Sequence, residues 1–201
     1  MPTDQGILFV CTGNICRSAY AQYRLRLALQ PLGDQRPRIL SRGTHVNAEL
    51  RPPQELTGIV PLDTALELSR HVPRQLGDRD VQDASVILAA SEEHLADALR
   101  RAPVQMKRAF TLTEFARAAN LAGAGPRLAV PGADRWETLR QVAAAHRSGI
   151  RAELREDLNI ADPYGRDAAS YQTMIAAVDR CIDDIAGFLL ADSISTASSL
   201  D

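Results

Sequence analysis

The chain alternates short apolar runs with stretches of helical periodicity. Ile7 to Val10 is an unbroken apolar run that enters a turn, the pattern of a buried strand. After Arg17, apolar residues recur at Ala21, Leu25, Ala28 and Leu29, a helical spacing that Pro31 and Gly33 bring to an end. Arg38 to Leu40 is a weaker strand signal, closed by Ser41-Arg42-Gly43. Residues 44–60 hold Pro52, Pro53 and Gly58 and read as a loop, and Pro61 then opens a helix carrying Ala65, Leu66 and Leu68. Residues 81–91 contain the clearest apolar run and read as a buried parallel strand followed by a helix over Glu92 to Arg101. Lys107 to Leu112 is a fourth strand leading to a helix over Thr113 to Asn120. Residues 121–133 read as a loop, Trp136 to His146 as a modest helix, and 157–165 as a second loop. Ala168 to Leu190 is the longest amphipathic helix, with Ile175, Val178, Ile182, Ile185 and Leu189 near one face. Strands alternating with helices predict a single doubly wound α/β domain, with a four-stranded parallel sheet flanked by helices. The domain is expected over 1–191, and the Ser-rich end, 192–201, reads as a disordered tail.

Composition narrows this only a little. At 201 residues the chain suits one domain, and 45% hydrophobic with 24% charged residues is ordinary for a globular protein. Aromatics make up 4%, so the expected core rests on Leu, Ile, Val and Ala. A net charge of −2 gives no reason to expect a nucleic-acid or membrane partner, and no apolar run is long enough to cross a bilayer. The N-terminus lacks the basic start and apolar segment of a signal peptide. Three cysteines, Cys11, Cys16 and Cys181, are an odd count that argues against a disulfide framework and for reactive or buried thiols in the cytoplasm.

Two of those cysteines lie in the turn after the first strand, Cys11-Thr12-Gly13-Asn14-Ile15-Cys16-Arg17-Ser18. In doubly wound sheets ligands sit beyond the carboxyl ends of the strands, where this turn falls. Gly13 and Asn14 are the residue types that most readily take positive φ, so the turn can aim backbone N–H groups inward as a nest for an anion. The following helix adds its positive end, and Arg17 adds a planar fork suited to two phosphate oxygens. The same groups stabilise a thiolate at Cys11, so the site that holds an oxyanion also makes a nucleophile. A thiolate that displaces an alkoxide or phenoxide needs an acid to protonate the leaving oxygen, and Asp162, in the proline-stiffened Asp162-Pro163-Tyr164 loop, is the candidate. Asp162 then serves as base for the hydrolytic water, and Tyr164 flanks an aromatic leaving group. His45, His71, His94 and His146 are scattered without ligand spacing, so no metal or cofactor is expected.

These residues resemble the low-molecular-weight protein tyrosine phosphatase family. The Cys11–Ser18 turn is similar to its phosphate loop, Asp162-Pro163-Tyr164 to its general-acid loop, Ser41-Arg42-Gly43-Thr44 to its Ser-Ala-Gly-Thr segment, and His71 to Leu76 to its His-x-x-Arg-Gln stretch. The resemblance implies that Cys11 is the nucleophile, that Arg17 stabilises the transferring phosphoryl group, and that Asp162 is the acid and then the base. Thr12, Gly13, Asn14, Ile15, Cys16, Arg17 and Tyr164 would surround the substrate, a phosphotyrosine protein or a small aryl phosphate. Ser18 would hydrogen-bond the Cys11 sulfur. Asn14 would be held by Ser18, Ser41 and His71, and Cys16 would form a protective disulfide with Cys11 under peroxide. Relative to the family, Ala19 stands for a proline, Arg42 for an alanine that leaves a charge near the cleft, and Gly165 for a second aromatic. No aromatic follows Thr44, and residues 117–156 read as an insertion.

Two other readings compete. An arsenate reductase on the same fold needs a relay of further cysteines near the third strand, and residues 81–100 contain none. A non-catalytic anion-binding or redox-sensing module would keep the loop but has no use for Arg17 and Asp162 together. The remaining candidates have bland readings: His94 caps or decorates a surface helix, Cys181 is a core residue of the last helix, and Asp179, Asp183 and Asp184 form a solvated face.

Overall fold

The computed structural model describes residues 6–124 and 132–191. The chain opens with strand β1 (Gly6–Cys11), helix α1 (Arg17–Ala28), a 3-10 segment Gln30–Gln35 and strand β2 (Arg38–Gly43). Three short helices follow, α2 (Gln54–Thr57), α3 (Leu62–Ser69) and α4 (Asp78–Asp83), then strand β3 (Ala84–Ala89) and helix α5 (Glu92–Arg101). A second 3-10 segment, Pro103–Arg108, leads to strand β4 (Ala109–Thr111), and α6 (Leu112–Ala124), α7 (Gly132–Leu154) and α8 (Ala168–Leu190) complete the fold.

All strand pairings are parallel, in the order β2-β1-β3-β4. This is the expected four-stranded α/β architecture. From β1 the chain moves outward to β2, then returns to β1's other side for β3 and β4, so the topological switch falls between β1 and β3. A crevice for a ligand opens at the carboxyl ends of those two strands.

Alternation along β1 sorts the core into two layers. Ile7 and Phe9 face α1, α6 and α8, in a cluster that includes Tyr20, Leu25, Phe115, Met174, Val178 and Ile182. Leu8 and Val10 face the opposite side, with Val81, Ile87, Leu95 and Ala98. Both faces of a parallel sheet are covered, which is why its strands read as continuous apolar runs. Despite their small number, aromatics are central to this core: Phe9, Tyr20, Phe110, Phe115 and Tyr171 are among the largest fully buried side chains.

Several element boundaries differ from the sequence expectation. Residues 81–83 end α4 rather than begin β3, because the Asp80 carboxylate accepts from the Gly77 N–H (2.9 Å) and starts a helix there. The 44–60 loop contains α2, anchored by the fully buried Leu56. Helix α7 is 23 residues long and runs well past His146. Its later turns are polar outside and are held by arginines: Arg151 pairs with Glu114 (3.3 Å) and with Glu92, and Arg117 on α6 pairs with Glu153 (2.8 Å). Asp179, Asp183 and Asp184 lie on a partly exposed face, as expected, and Arg24 on α1 pairs with the first two (2.9 and 2.8 Å), while the Tyr20 hydroxyl donates to Asp179. Cys181 is buried, as expected. Part of the 121–133 loop and the 192–201 tail lie outside the described residues.

Candidate active site

The turn after β1 wraps a pocket of about 180 Å³ lined by Cys11, Thr12, Gly13, Ile15, Cys16 and Arg17, with His45, Asn47, Leu50, Asp162 and Tyr164 around its mouth. Local chemistry explains the turn's shape. Asn14 has a φ of 55°, a left-handed conformation that asparagine tolerates better than most residues. Both side-chain polar atoms of Asn14 and its carbonyl oxygen are held. Its amide Nδ2 donates to Ser18 Oγ (3.0 Å) and Ser41 Oγ (2.8 Å), its Oδ1 accepts from the Arg74 N–H (2.9 Å), and its carbonyl oxygen lies 2.8 Å from His71 Nε2. The other ring nitrogen of His71 meets the Tyr23 hydroxyl at 3.0 Å. With His71 donating to a carbonyl, the strained conformation is over-determined by β2, α1 and the segment before α4.

Gly43, at the end of β2, supports the loop from below. The N–H groups after it reach up to the loop carbonyls, Thr44 N to Cys11 O (2.9 Å) and His45 N to Thr12 O (3.0 Å). A Cβ at Gly43 would sit 2.5 Å from Thr12 O and 2.5 Å from Val46 Cγ2. Backbone on one side leaves little room to yield, so Gly43→Ala is expected to cost about 1–3 kcal/mol through overpacking and to displace the loop. Thermal denaturation and kcat/KM check this: a stability loss with a larger relative loss of turnover is expected, and an unchanged kcat/KM would show that the loop does not depend on this contact.

Within the loop, Cys11 Sγ lies 2.9 Å from Ser18 Oγ, and both are buried. Asn14 already donates to Ser18 Oγ, so the serine proton is available to the sulfur. The α1 N-terminus faces the same pocket, with no acidic residue in its first turn to offset its dipole. Cys16 is also buried. That burial, reinforced by the neighbouring Cys11, pushes its thiol well above the ordinary cysteine range. Cys16 therefore stays protonated.

Arg17 is the first residue of α1 and is 6% exposed. One guanidinium nitrogen donates to Asp162 Oδ2 (2.6 Å) and Thr12 Oγ1 (3.3 Å), and the other terminal nitrogen donates to Ile160 O (3.3 Å). Its Nε is buried without a protein acceptor. Three contacts made beside β3 and α6 carry Asp162 across the sheet to this position: Ile160 N–H to Ala90 O (2.8 Å), Glu92 N–H to Asn159 Oδ1 (2.8 Å), and the Thr113 hydroxyl to Leu158 O (2.9 Å). Pro163 is buried and stiffens the loop, while Tyr164, 49% exposed, stands at the rim.

The candidate site residues converge: Cys11 to Ser18 form the loop, Ser41 and His71 brace Asn14, and Asp162 and Tyr164 close the opposite side. Arg42 is different. Its charge is tied to Asp80 (2.9 Å) rather than directed at the cleft. His94 is also different, being a buried residue (4% exposed) and not a surface decoration. Its Nε2 lies 2.8 Å from Thr12 Oγ1, and its Nδ1 lies 2.6 Å from Ser91 Oγ. Sequence pattern offered one hint, the Ser91-x-x-His94 spacing at a helix start. Among the described residues no group of His, Cys, Asp and Glu is arranged to hold a metal ion, and no helix is long and apolar enough to cross a membrane.

Burial, and then the nearby Arg17 charge, lower the pKa of His94 to about 4. The unfolded chain takes up that proton near pH 6.5, whereas the fold resists it until about pH 4. Stability is therefore intact above pH 6.5 and falls as the pH drops through this window, by roughly 3 kcal/mol for the full shift. His71, also lowered by burial, adds a loss of the same sign. Urea unfolding at pH 7, 5 and 4 checks this, with His94→Gln expected to flatten the dependence.

A parallel sheet with a cysteine–arginine anion loop at its switch point and a carboxylate facing it defines a cysteine-loop oxyanion site. Residues 6–125 match the family model described as low molecular weight phosphotyrosine protein phosphatase, and the chain belongs to that family. A curated relative, low molecular weight protein-tyrosine-phosphatase Etp of Escherichia coli, is 32% identical over 98 residues, which span 48% of this chain and 62% of Etp. Solved structures share the fold at lower identity. The arginine phosphatase YwlE of Geobacillus stearothermophilus superposes with a TM-score of 0.63 at 21% identity, covering 95% of this chain and 96% of its own. The tyrosine phosphatase Wzb of Escherichia coli, solved with phosphate, gives 0.60 at 16% identity, covering 90% of this chain and 96% of its own. The family match ends before Asp162, so the proximity of that residue to Arg17 is a finding of the tertiary structure alone.

Proposed function

We propose that this chain is a cysteine-dependent phosphatase that hydrolyses phosphotyrosine or another aryl phosphate through a cysteinyl-phosphate intermediate. The observation that carries this reading is the meeting of Cys11, Arg17 and Asp162 at one pocket, with Asp162 bonded to Arg17 at 2.6 Å across 145 residues of sequence. A nucleophile, an oxyanion clamp and a proton donor are the three parts that such chemistry needs.

In the first step the Cys11 thiolate, hydrogen-bonded by Ser18, attacks phosphorus. The S–P bond forms as the P–O bond to the leaving group breaks. Arg17 and the loop N–H groups take the charge on the equatorial oxygens. A bound phosphoryl group competes with Asp162 for Arg17. Released from that ion pair, the carboxylate takes up a proton from solvent, turns to the leaving oxygen and delivers the proton there, so a phenol departs and Asp162 is left as carboxylate. In the second step that carboxylate takes a proton from water as the water oxygen attacks phosphorus. The S–P bond breaks, and inorganic phosphate and the free thiolate are released. Cys16, kept protonated, does not compete as nucleophile, and as the second thiol lining the pocket it is the proposed partner for a protective disulfide with Cys11 when peroxide is the oxidant.

The pocket supports an aryl substrate. Ile15 and Leu50 provide apolar wall, and Tyr164 offers a ring at the rim against which an aromatic leaving group can pack. A cytoplasmic location fits the three free thiols, and the domain is read as 1–191 with 117–156 as an insertion. Cys181, buried in α8 with its thiol pushed up to about 12 by desolvation, is a poor relay thiol, which disfavours arsenate reduction. Steady-state hydrolysis of p-nitrophenyl phosphate in the presence of a chelator tests the proposal: turnover is expected, and its absence across aryl phosphates would overturn it.

A further inference from the structure

His94 sits outside the mechanism just described, yet it is joined to it by a chain of hydrogen bonds. It lies in the first turn of α5, directly after β3, and that turn reaches the switch point beside the loop. Ser91 caps the helix, with its Oγ accepting the His94 N–H (3.4 Å). The imidazole folds back so that Nδ1 meets Ser91 Oγ at 2.6 Å and Nε2 meets Thr12 Oγ1 at 2.8 Å. Thr12 Oγ1 also accepts from Arg17 (3.3 Å), the nitrogen of Arg17 that holds Asp162. Thr12 itself lines the pocket.

A threonine hydroxyl has two lone pairs and one proton. If Nε2 of His94 carries the imidazole proton, it donates to Thr12 Oγ1, and the Ser91 hydroxyl donates to the bare Nδ1. Both Thr12 lone pairs are then filled, one by His94 and one by Arg17, and the Thr12 proton is left for an oxyanion in the pocket. With the opposite tautomer, Thr12 spends its proton on His94 and has none to offer. The doubly protonated ring is disfavoured because His94 is buried beside Arg17.

We propose that His94 is a positioning residue that, as the Nε2–H tautomer, fixes Thr12 so that Thr12 both steadies Arg17 and donates its own proton to the bound phosphoryl group. The proposal rests on the reading of this pocket as a phosphatase site, but two of its tests do not require turnover. The first is the tautomer itself. Long-range nitrogen–proton NMR correlations on the wild-type protein are expected to show His94 protonated at Nε2, and protonation at Nδ1 overturns the proposal. The second is affinity for vanadate, compared among Thr12→Val, His94→Leu, His94→Gln and the double variant Thr12→Val/His94→Leu. Each of Thr12→Val and His94→Leu is expected to weaken vanadate binding and kcat/KM by roughly ten-fold, the scale of one hydrogen bond to a charged group.

The double variant is expected to be no worse than the more damaged single one, because both remove the same interaction. His94→Gln, whose amide can donate to Thr12 as Nε2 does, is expected to recover most of the loss. Multiplicative losses in the double variant, or equal damage from His94→Gln and His94→Leu, overturn the proposal and leave His94 a packing residue. Should His94→Leu fail to fold, Thr12→Val and the wild-type tautomer still decide. A wild-type protein that binds vanadate and shows the Nε2–H tautomer but turns over no aryl phosphate would refute the phosphatase reading while sustaining this one.

Discussion

Cys11→Ser is expected to lower turnover of an aryl phosphate by about four orders of magnitude or more, the scale seen when a covalent nucleophile is removed. The fold gives this variant a clean interpretation. The replaced atom is a single buried sulfur whose protein partner is Ser18 Oγ at 2.9 Å, and a serine hydroxyl can keep that contact. The rest of the anion site is independent of it. Asn14 remains held by Ser18, Ser41, His71 and Arg74, and Arg17 keeps its buried place at the start of α1. Phosphate or vanadate binding, measured by calorimetry, is therefore expected to survive while kcat collapses. A hydroxyl at this position is not ionised near neutrality and cannot replace the thiolate. Turnover within ten-fold of wild type would remove Cys11 from the chemistry, and loss of oxyanion binding together with turnover would mean that the loop, rather than the nucleophile, had been damaged.

Asp162→Ala is expected to lower kcat by about 10²–10⁴-fold, the usual contribution of a positioned general acid–base. The defect should depend on the leaving group. Phenols that depart easily need little protonation, so the loss should be smallest for p-nitrophenyl phosphate and grow with more basic phenols. A second consequence comes from the Arg17–Asp162 contact of 2.6 Å. Without phosphate, the carboxylate occupies a guanidinium nitrogen that a phosphoryl oxygen would use. Removing it frees that donor, so vanadate is expected to bind at least as tightly to Asp162→Ala as to wild type. Weaker binding would show that Asp162 supports the loop instead of competing for Arg17. A kcat near wild type with every phenol would exclude it as the acid.

Much of the fold was legible along the chain because its determinants are local. The β1 run, the Gly13-Asn14 turn and the periodicity of α1 and α8 each lie within one element or one turn, and the structure contains them where they were expected. Pattern and structure part where tertiary contacts outweigh local sequence. Val81 looked like part of a strand because it is apolar beside an apolar run, but the Gly77–Asp80 contact starts a helix there. Helix α7 looked short because its apolar stripe is sparse, and arginines reaching Glu114 and Glu92 carry its later turns.

By itself, the sequence determined the anion loop. Cys11, Asn14, Arg17 and Ser18 are spaced so closely that one strand–turn–helix unit brings them together, and the preference of asparagine for positive φ acts within a single residue. Tertiary structure alone decided which distant groups share that loop. Asp162 reaches Arg17 because backbone hydrogen bonds beside β3 carry its loop across the sheet. His94 reaches Thr12 because the parallel pairing of β1 with β3 sets their carboxyl ends side by side. Arg42 is turned from the cleft because Asp80 lies within reach on its other side. Such meetings depend on strand order and crossover path, which no spacing along one chain encodes locally.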